Sequence, residues 1–291
     1  MTQDSTPMRS PLRLTLLILI LIILPLAVGL YAAPRLVPEP QVGLIRLSQE
    51  ITADSAYEIT EQLSYARSDP AVKAVVLVIN SPGGSAAFSE ELYLAVLSTR
   101  SQMPVVATID LLAASGAYYM TTAADAIYAK PTSSVGSIGV ISILPGDVFI
   151  QEEELTTGPY KAFGGTRDGY VRQMERAKLA FLEAIANGRG ERLTADLDYL
   201  SRAEIFTGVQ ALELGLVDGI ISSDDAVERA ASLAGLRNYQ VVELYPLAFE
   251  SDSGGSLVRY EPPPVDEQRL WVPPSNLAPG LYYRYIVPAE R

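Results

Sequence analysis

AVKAVVLVINSPGGS, residues 71–85, joins two kinds of chain. Its first ten residues are almost continuously apolar and rich in valine. That is the pattern of a strand buried on both faces, which occurs where helices cover both sides of a parallel sheet. The last five, SPGGS, form a turn that opens a helix to about Arg100, with Phe88, Leu92 and Val96 on one face. Working outward, the same rhythm repeats. QVGLIRL (41–47) reads as a strand, and 55–69 as a helix with Ala56, Ile59, Leu63 and Ala66 at helical spacing. PVVATID (104–110) is a strand, followed by a turn at Ser115 and a helix to about Ala124. AIYAK (126–130) and SIGVIS (137–142) read as further strands. Residues 171–188 form a long amphipathic helix, residues 204–220 and a helix over 225–235 follow, and VVELYP (241–246) is a last strand. Alternating strand and helix predicts a mostly parallel α/β sheet with right-handed crossovers.

Composition removes whole classes of chemistry. The 291 residues include no cysteine and no histidine. Thiol nucleophiles, disulfides, His-based triads and nearly every zinc site are therefore excluded. A general base must be Asp, Glu, Lys, Tyr or water. The net charge of −12 argues against nucleic acid as a partner, because phosphate binding needs a basic patch.

The two ends differ from the middle. Residues 14–34, LTLLILILIILPLAVGLYAAP, carry no charge over 21 positions. As a helix they would span about 30 Å, the thickness of the hydrocarbon core. They predict a transmembrane anchor. The alternative is a cleaved signal peptide, whose apolar core runs about 7–15 residues to a small-x-small site. Ala32-Ala33 before Pro34 is a poor match to such a site. Arg9 and Arg13 precede the segment, against Arg35, Glu39 and Glu50 after it. That bias puts residues 1–13 in the cytoplasm and the main domain on the extracytoplasmic side of the cell membrane. Residues 35–40 are a stiff linker and 41–250 the folded domain. Residues 251–291, rich in Pro, Gly and Ser, form a tail without its own core, although Trp271 and Leu281-Tyr282-Tyr283 mark part of it as able to dock.

The segment DLLAASGAYYM (110–120) places Ser115 where a strand gives way to a helix, at the carboxyl edge of the sheet. A serine hydroxyl is a weak nucleophile unless a base takes its proton. The chain has four lysines among 22 basic residues. Lys73 stands at the wrong end of its strand, Lys178 in a charged stretch of the long helix, and Lys130 just before Pro131. Lys161 lies in TTGPYKAFGG beside Tyr160, Phe163 and glycines, with no adjacent carboxylate, a setting that would desolvate an amine. A free lysine has a pKa near 10.4, so about one in 2,500 is neutral at pH 7. Burial that lowers it to about 7 destabilises the cation by about 4–5 kcal/mol. Ser81-Pro82-Gly83-Gly84 supplies glycines whose backbone can approach a ligand and donate N–H groups to an oxyanion. It is not a Walker loop, since no Gly-Lys-Ser/Thr follows. Gly116, the residue after the candidate nucleophile, offers a second such N–H.

INSPGGS, AASGAYYMTTAADAIYA, SVGSIGVI, GPYKAF and FTGVQALELGLVD, in that order over roughly residues 42–241, resemble the signal peptide peptidase A (protease IV) family of membrane serine proteases. The resemblance implies a Clp protease/crotonase-like fold and a Ser-Lys dyad carried by Ser115 as nucleophile and Lys161 as base. It implies Gly84 as an oxyanion glycine and Ser137 as a serine that holds the lysine. It also implies a ring-like homo-oligomer with Ser and Lys contributed by neighbouring subunits. The chain departs from the family pattern in Gly116-Ala117, where Gly-Gly is usual, in a short stretch between Ser137 and Lys161, and in its Pro-rich tail.

The expected function is that of a membrane-anchored serine endopeptidase acting on membrane-associated peptides such as released signal peptides, with no metal or nucleotide cofactor. Two other readings stay open: a crotonase-type acyl-CoA enzyme, which would use a catalytic carboxylate, and a non-catalytic membrane scaffold, which an exposed Lys161 would favour.

Overall fold

The computed structural model describes residues 19–28, 31, 39–143, 158, 160–161, 164–249 and 280–284. The chain divides into two compact units, Met1–Pro40 and Gln41–Arg291. In the first, Leu19–Ile23 is a π-helical turn continued helically to residue 28, and its described side chains are exposed. Among the described residues no helix is long and apolar enough to cross a membrane. The rest of the anchor expected over 14–34 lies outside them.

The second unit is an α/β domain. Its strands are β1 (Gln41–Leu47), β2 (Val72–Ser81), β3 (Gly83–Ser85), β4 (Val105–Ala114), β5 (Ala126–Ala129), β6 (Ser134–Gly136), β7 (Ile141–Ile143), β8 (Ile205–Thr207), β9 (Gly219–Ile220), β10 (Gln240–Glu243) and β11 (Gly280–Arg284). Its helices are α1 (Ala53–Ser68), α2 (Ala86–Arg100), α3 (Gly116–Thr121), α4 (Arg167–Arg189), α5 (Leu197–Leu200), α6 (Gly208–Glu213), α7 (Ser223–Leu233) and α8 (Leu244–Phe249). The main sheet runs β10-β1-β2-β4-β5-β9, all parallel. Each crossover needs a connecting segment, and helices supply most of them.

β2 is buried on both faces, as its composition predicts. Val75, Leu77 and Ile79 join the large core beneath α1, α2 and α4, while Ala74, Val76 and Val78 meet Ala226, Ala230 and Ala231 of α7. The two-residue alternation of a strand produces this split.

β4 changes partner along its length. Val106 to Ile109 pair with β5, and Leu112 to Ala114 pair with β6. The strand thereby runs past the edge where β5 stops and carries its last residue to the start of α3. A second, three-stranded sheet, β3-β11-β7, stands beside this point.

Two expected elements differ. The strand expected over 137–142 does not form. β6 ends at Gly136, Ser137 turns with φ +52°, and β7 begins only at Ile141. The SPGGS turn does not pass directly into a helix either: Gly83–Ser85 is first a strand, because Ile51 and β11 pair with it. Part of the tail docks as expected, as β11.

Candidate active site

Ser115 sits between β4 and α3, fully buried. Its φ of 56° and ψ of −125° are a conformation natural to glycine and strained for any other residue. The backbone around it is over-determined. Ser115 N–H donates to Gly136 O at 2.8 Å, and Ser115 O accepts from Tyr119 N–H at 2.9 Å. The side-chain Oγ, by contrast, has no hydrogen-bond partner among the described residues and does not cap the helix. A buried hydroxyl left unpaired costs about 1–3 kcal/mol, so backbone strain and side-chain desolvation meet in one residue.

Peptide-plane geometry fixes where the nearby donors point. Ser115 O faces Tyr119, so the Gly116 N–H of the same trans plane faces the other way, out of the first turn of α3. The same logic governs Gly84. Ile51 N–H donates to Gly83 O at 2.8 Å, and Ser85 N–H donates to Ile51 O at 2.9 Å. Both flanking planes are thus anchored on Ile51, and the Gly84 N–H and C=O both turn to the opposite edge, where β11 pairs. Only glycine fits at this position, since a Cβ would overlap the Ile51 carbonyl.

Ser137, buried, is held by its N–H to Glu204 O at 2.8 Å and directly follows the Gly136 carbonyl that receives the Ser115 N–H. Ser115, Gly116 and Ser137 are therefore brought together by the β4–β6 pairing. Lys161 lies in an exposed turn, its N–H donates to Gly158 O, and its Nζ makes no hydrogen bond to Ser115 Oγ. Lys161 is exposed, whereas its sequence neighbours led to the expectation of a desolvated amine. Of the other lysines, Lys130 pairs with Asp110 at 2.8 Å, Lys178 pairs with Glu175, and Lys73 is exposed.

Behind α3 stands a polar network that the sequence did not suggest. Arg189, 1 % exposed, donates from Nη2 to Asp218 Oδ1 at 2.7 Å, from Nη1 to Oδ2 at 2.9 Å and from Nε to Gly215 O at 2.8 Å. Ile127 N–H and Arg192 also donate to Asp218, and Tyr118 OH donates to Leu216 O. Burial works to raise the Asp218 carboxyl, but the Arg189 hydrogen bonds and charge, the Ile127 N–H and Arg192 outweigh it and hold it below the usual range. Asn80 is a second residue that the sequence did not single out: its Oδ1 is buried without a partner among the described residues, one residue before Ser81. The motif INSPGGS contained it, but a single Asn carries no signal of its own.

Comparison with known proteins gives two family matches. Residues 40–137 match Clp protease, and residues 98–237 match Peptidase family S49. The chain is 32 % identical to Protease 4 of Salmonella typhi over 62 % of its own length and 31 % of that protein. It is 30 % identical to Protease 4 of Haemophilus influenzae over 69 % and 35 %. It is 32 % identical to a putative signal peptide peptidase SppA of Enterococcus faecium over 62 % and 57 %. The chain is thus similar to peptidases of family S49 and to proteins named Protease 4 and SppA. It spans about a third of the length of the two Protease 4 relatives.

Proposed function

We propose that this chain is a membrane-anchored serine endopeptidase in which Ser115 is the nucleophile and Lys161 the base. One observation carries the reading: a fully buried, unpartnered Ser115 Oγ held in a glycine-type backbone conformation at the end of β4. Strain of this kind persists only where the surroundings enforce it, and it concentrates at functional sites. In the proposed step, neutral Lys161 Nζ takes the hydroxyl proton while Oγ bonds to the scissile carbonyl carbon. The Gly84 and Gly116 N–H groups receive the oxyanion. The lysine returns its proton to the leaving amine, and water later hydrolyses the acyl-enzyme.

The exposed Lys161 fits this chemistry only when something covers it. A neighbouring subunit of a ring would do so and would present Lys161 to the next Ser115. The apolar segment 14–34 would tether the domain at the outer face of the membrane, near peptides such as released signal peptides.

A fluorophosphonate probe tests the core of the reading. It should label Ser115 in the native protein and not after denaturation or in Ser115→Ala; absence of native labelling overturns it. Equal mixtures of Ser115→Ala and Lys161→Ala subunits test the sharing, because about a quarter of sites in co-assembled rings should recover. No recovery from verified mixed rings would exclude it. The exposure of Lys161 also favours a second reading, a non-catalytic scaffold with a degenerate site. That reading requires unlabelled Ser115 in the assembled protein.

A further inference from the structure

Among the described residues, three other than glycine have positive φ: Ser115 at 56°, Ser137 at 52° and Ala203 at 61°. They are far apart in sequence, yet backbone hydrogen bonds join them in a line. Gly136 C=O accepts from Ser115 N–H, and Ser137 N–H donates to Glu204 O, both at 2.8 Å. The Gly136 C=O and the Ser137 N–H belong to one trans peptide, so they point in opposite directions and the plane is gripped from both sides. Such a plane cannot tilt at one end without tilting at the other. Gly136 itself sits at φ +127°, and a Cβ there would overlap the Glu204 carbonyl, so the grip is close.

Glu204 is delivered by a corner of the chain. The Asp196 side chain caps the start of α5 by accepting from Asp198 N–H, and Leu200 at its end is fully buried in the main core. Ala203 N–H donates back to Leu200 O at 3.1 Å. The left-handed turn at Ala203 then sends the chain through Glu204 into β8, where Ile205 lies opposite Gly136. Glycine suits such a turn because it has no Cβ. The Ala203 methyl instead lies against Gly139, two residues beyond Ser137, where an added Cβ would come to 3.0 Å from it. Strained residues persist where their surroundings over-determine them, and here each is held by the next. The two ends of the line differ in exposure: Ser115 is sealed, whereas Glu204 reaches the surface.

From this line of bonds we infer that Ala203 is a positioning residue for Ser115. It aims the Glu204 carbonyl, the carbonyl fixes the Gly136–Ser137 plane, and the plane fixes the backbone from which the Ser115 hydroxyl projects. The consequence for chemistry rests on the proposed peptidase reading; the mechanical coupling does not. A displacement of about 1 Å at a reacting group costs about 10²-fold in rate, so a tilt of this plane should register at Ser115 Oγ while the domain stays folded.

Two substitutions separate conformation from bulk. Ala203→Gly keeps the positive φ, and Ala203→Val, which is β-branched, opposes it. Hydrogen exchange followed by mass spectrometry reads the coupling. In Ala203→Val the amides of Ser115 and Ser137 should both exchange about tenfold faster, while that of Val76, within β2, stays unchanged. Ala203→Gly should match the native chain. Faster exchange at Ser137 alone, or an equal rise at all three amides, overturns the inference. If Ala203→Val does not fold, the unaltered protein decides. In sub-denaturing urea its Ser115 and Ser137 amides should open in one step, with the same dependence on urea. Different dependences overturn the coupling.

The second measurement is saturable labelling of Ser115 by a fluorophosphonate. Ala203→Val should lower the maximal labelling rate about tenfold and leave the half-saturating concentration unchanged, and Ala203→Gly should label at the native rate. Ala230→Gly, in α7 on the opposite face of β2, lowers stability without touching this line and should also label at the native rate. Labelling slowed equally in Ala230→Gly would reduce Ala203 to a general stability role and overturn the inference. Normal labelling of Ala203→Val despite faster exchange would refute the positioning role. Coupled exchange in a protein whose Ser115 never labels would sustain the coupling and refute the peptidase reading.

Discussion

The segments around Ser115 and Lys161 stand in opposite conditions. Ser115 ends a ten-residue strand, and its backbone N–H and C=O are both bonded to fixed partners. Its hydroxyl is sealed from solvent. Lys161 lies in an exposed turn, its N–H bonded to Gly158 O. On the proposed reading, the single chain has completed the nucleophile and left the base unfinished. Burying a lysine disfavours its cation, so a protomer that kept Lys161 buried would bear that penalty even when alone. In the proposed ring, leaving it on the surface until subunits meet would defer the penalty to the moment when it becomes useful.

The comparison breaks most visibly in activity. Ser115→Ala and Lys161→Ala should each lower kcat/KM for peptide cleavage by about 10⁴-fold or more, and Lys161→Arg should be as inactive, since guanidinium keeps its proton. The two sites should separate in thermal unfolding. Lys161→Ala should leave Tm unchanged. Ser115→Ala should raise stability by about 1 kcal/mol, because it deletes a buried hydroxyl that has no partner. A lower Tm for Ser115→Ala would mean that Oγ is bonded in solution.

A second prediction concerns what keeps the Ser115 side rigid. Arg189→Ala should destabilise the domain by about 3–5 kcal/mol, as expected when a buried pair loses one member. The pH dependence has a definite sign. The Asp218 carboxyl is lower in the folded state than in the unfolded one, so its contribution is complete above the ordinary carboxylate range. It fades as pH falls through the depressed folded value. The stability gap between wild type and Arg189→Ala, measured by urea unfolding, should therefore shrink from pH 7 toward acid. A gap that widens there would assign the stabilisation to another group.

The smallest effect tests the strain itself. Ser115→Gly should be at least as stable as Ser115→Ala and more stable than wild type by about 1 kcal/mol, because glycine adopts φ 56° without penalty. A glycine variant less stable than wild type would show that the conformation is not strained.

Much of this was legible in the sequence, for reasons that vary by element. β2 declared itself because burial on both faces leaves an unbroken apolar run. Ser115 was legible from its strand-to-helix position. The break after Gly136 was not: SIGVIS has an unbroken strand composition, and what stops it is a positive φ at Ser137 enforced by the distant Glu204 carbonyl. β3 was hidden for the same reason, since its partners Ile51 and β11 lie far away in sequence. The Arg189–Asp218 pair joins residues 29 apart in a chain with 18 arginines, none of which looks special alone. The exposure of Lys161 depends on what surrounds the turn, which its own apolar neighbours do not reveal.

The conformation of residue 115 has a consequence for descent. If Ser115 is the proposed nucleophile, backbone and chemistry want different residues there: the turn suits glycine, and only the reaction calls for a hydroxyl. Some serine codons are a single base change from glycine. A lineage released from the need to cut peptides would therefore have a neighbouring sequence that is silent as a nucleophile and no worse as a fold. Nothing in the packing would resist that step. Selection for the reaction alone would keep the serine, and a glycine at this position in a relative would record where that selection had lapsed.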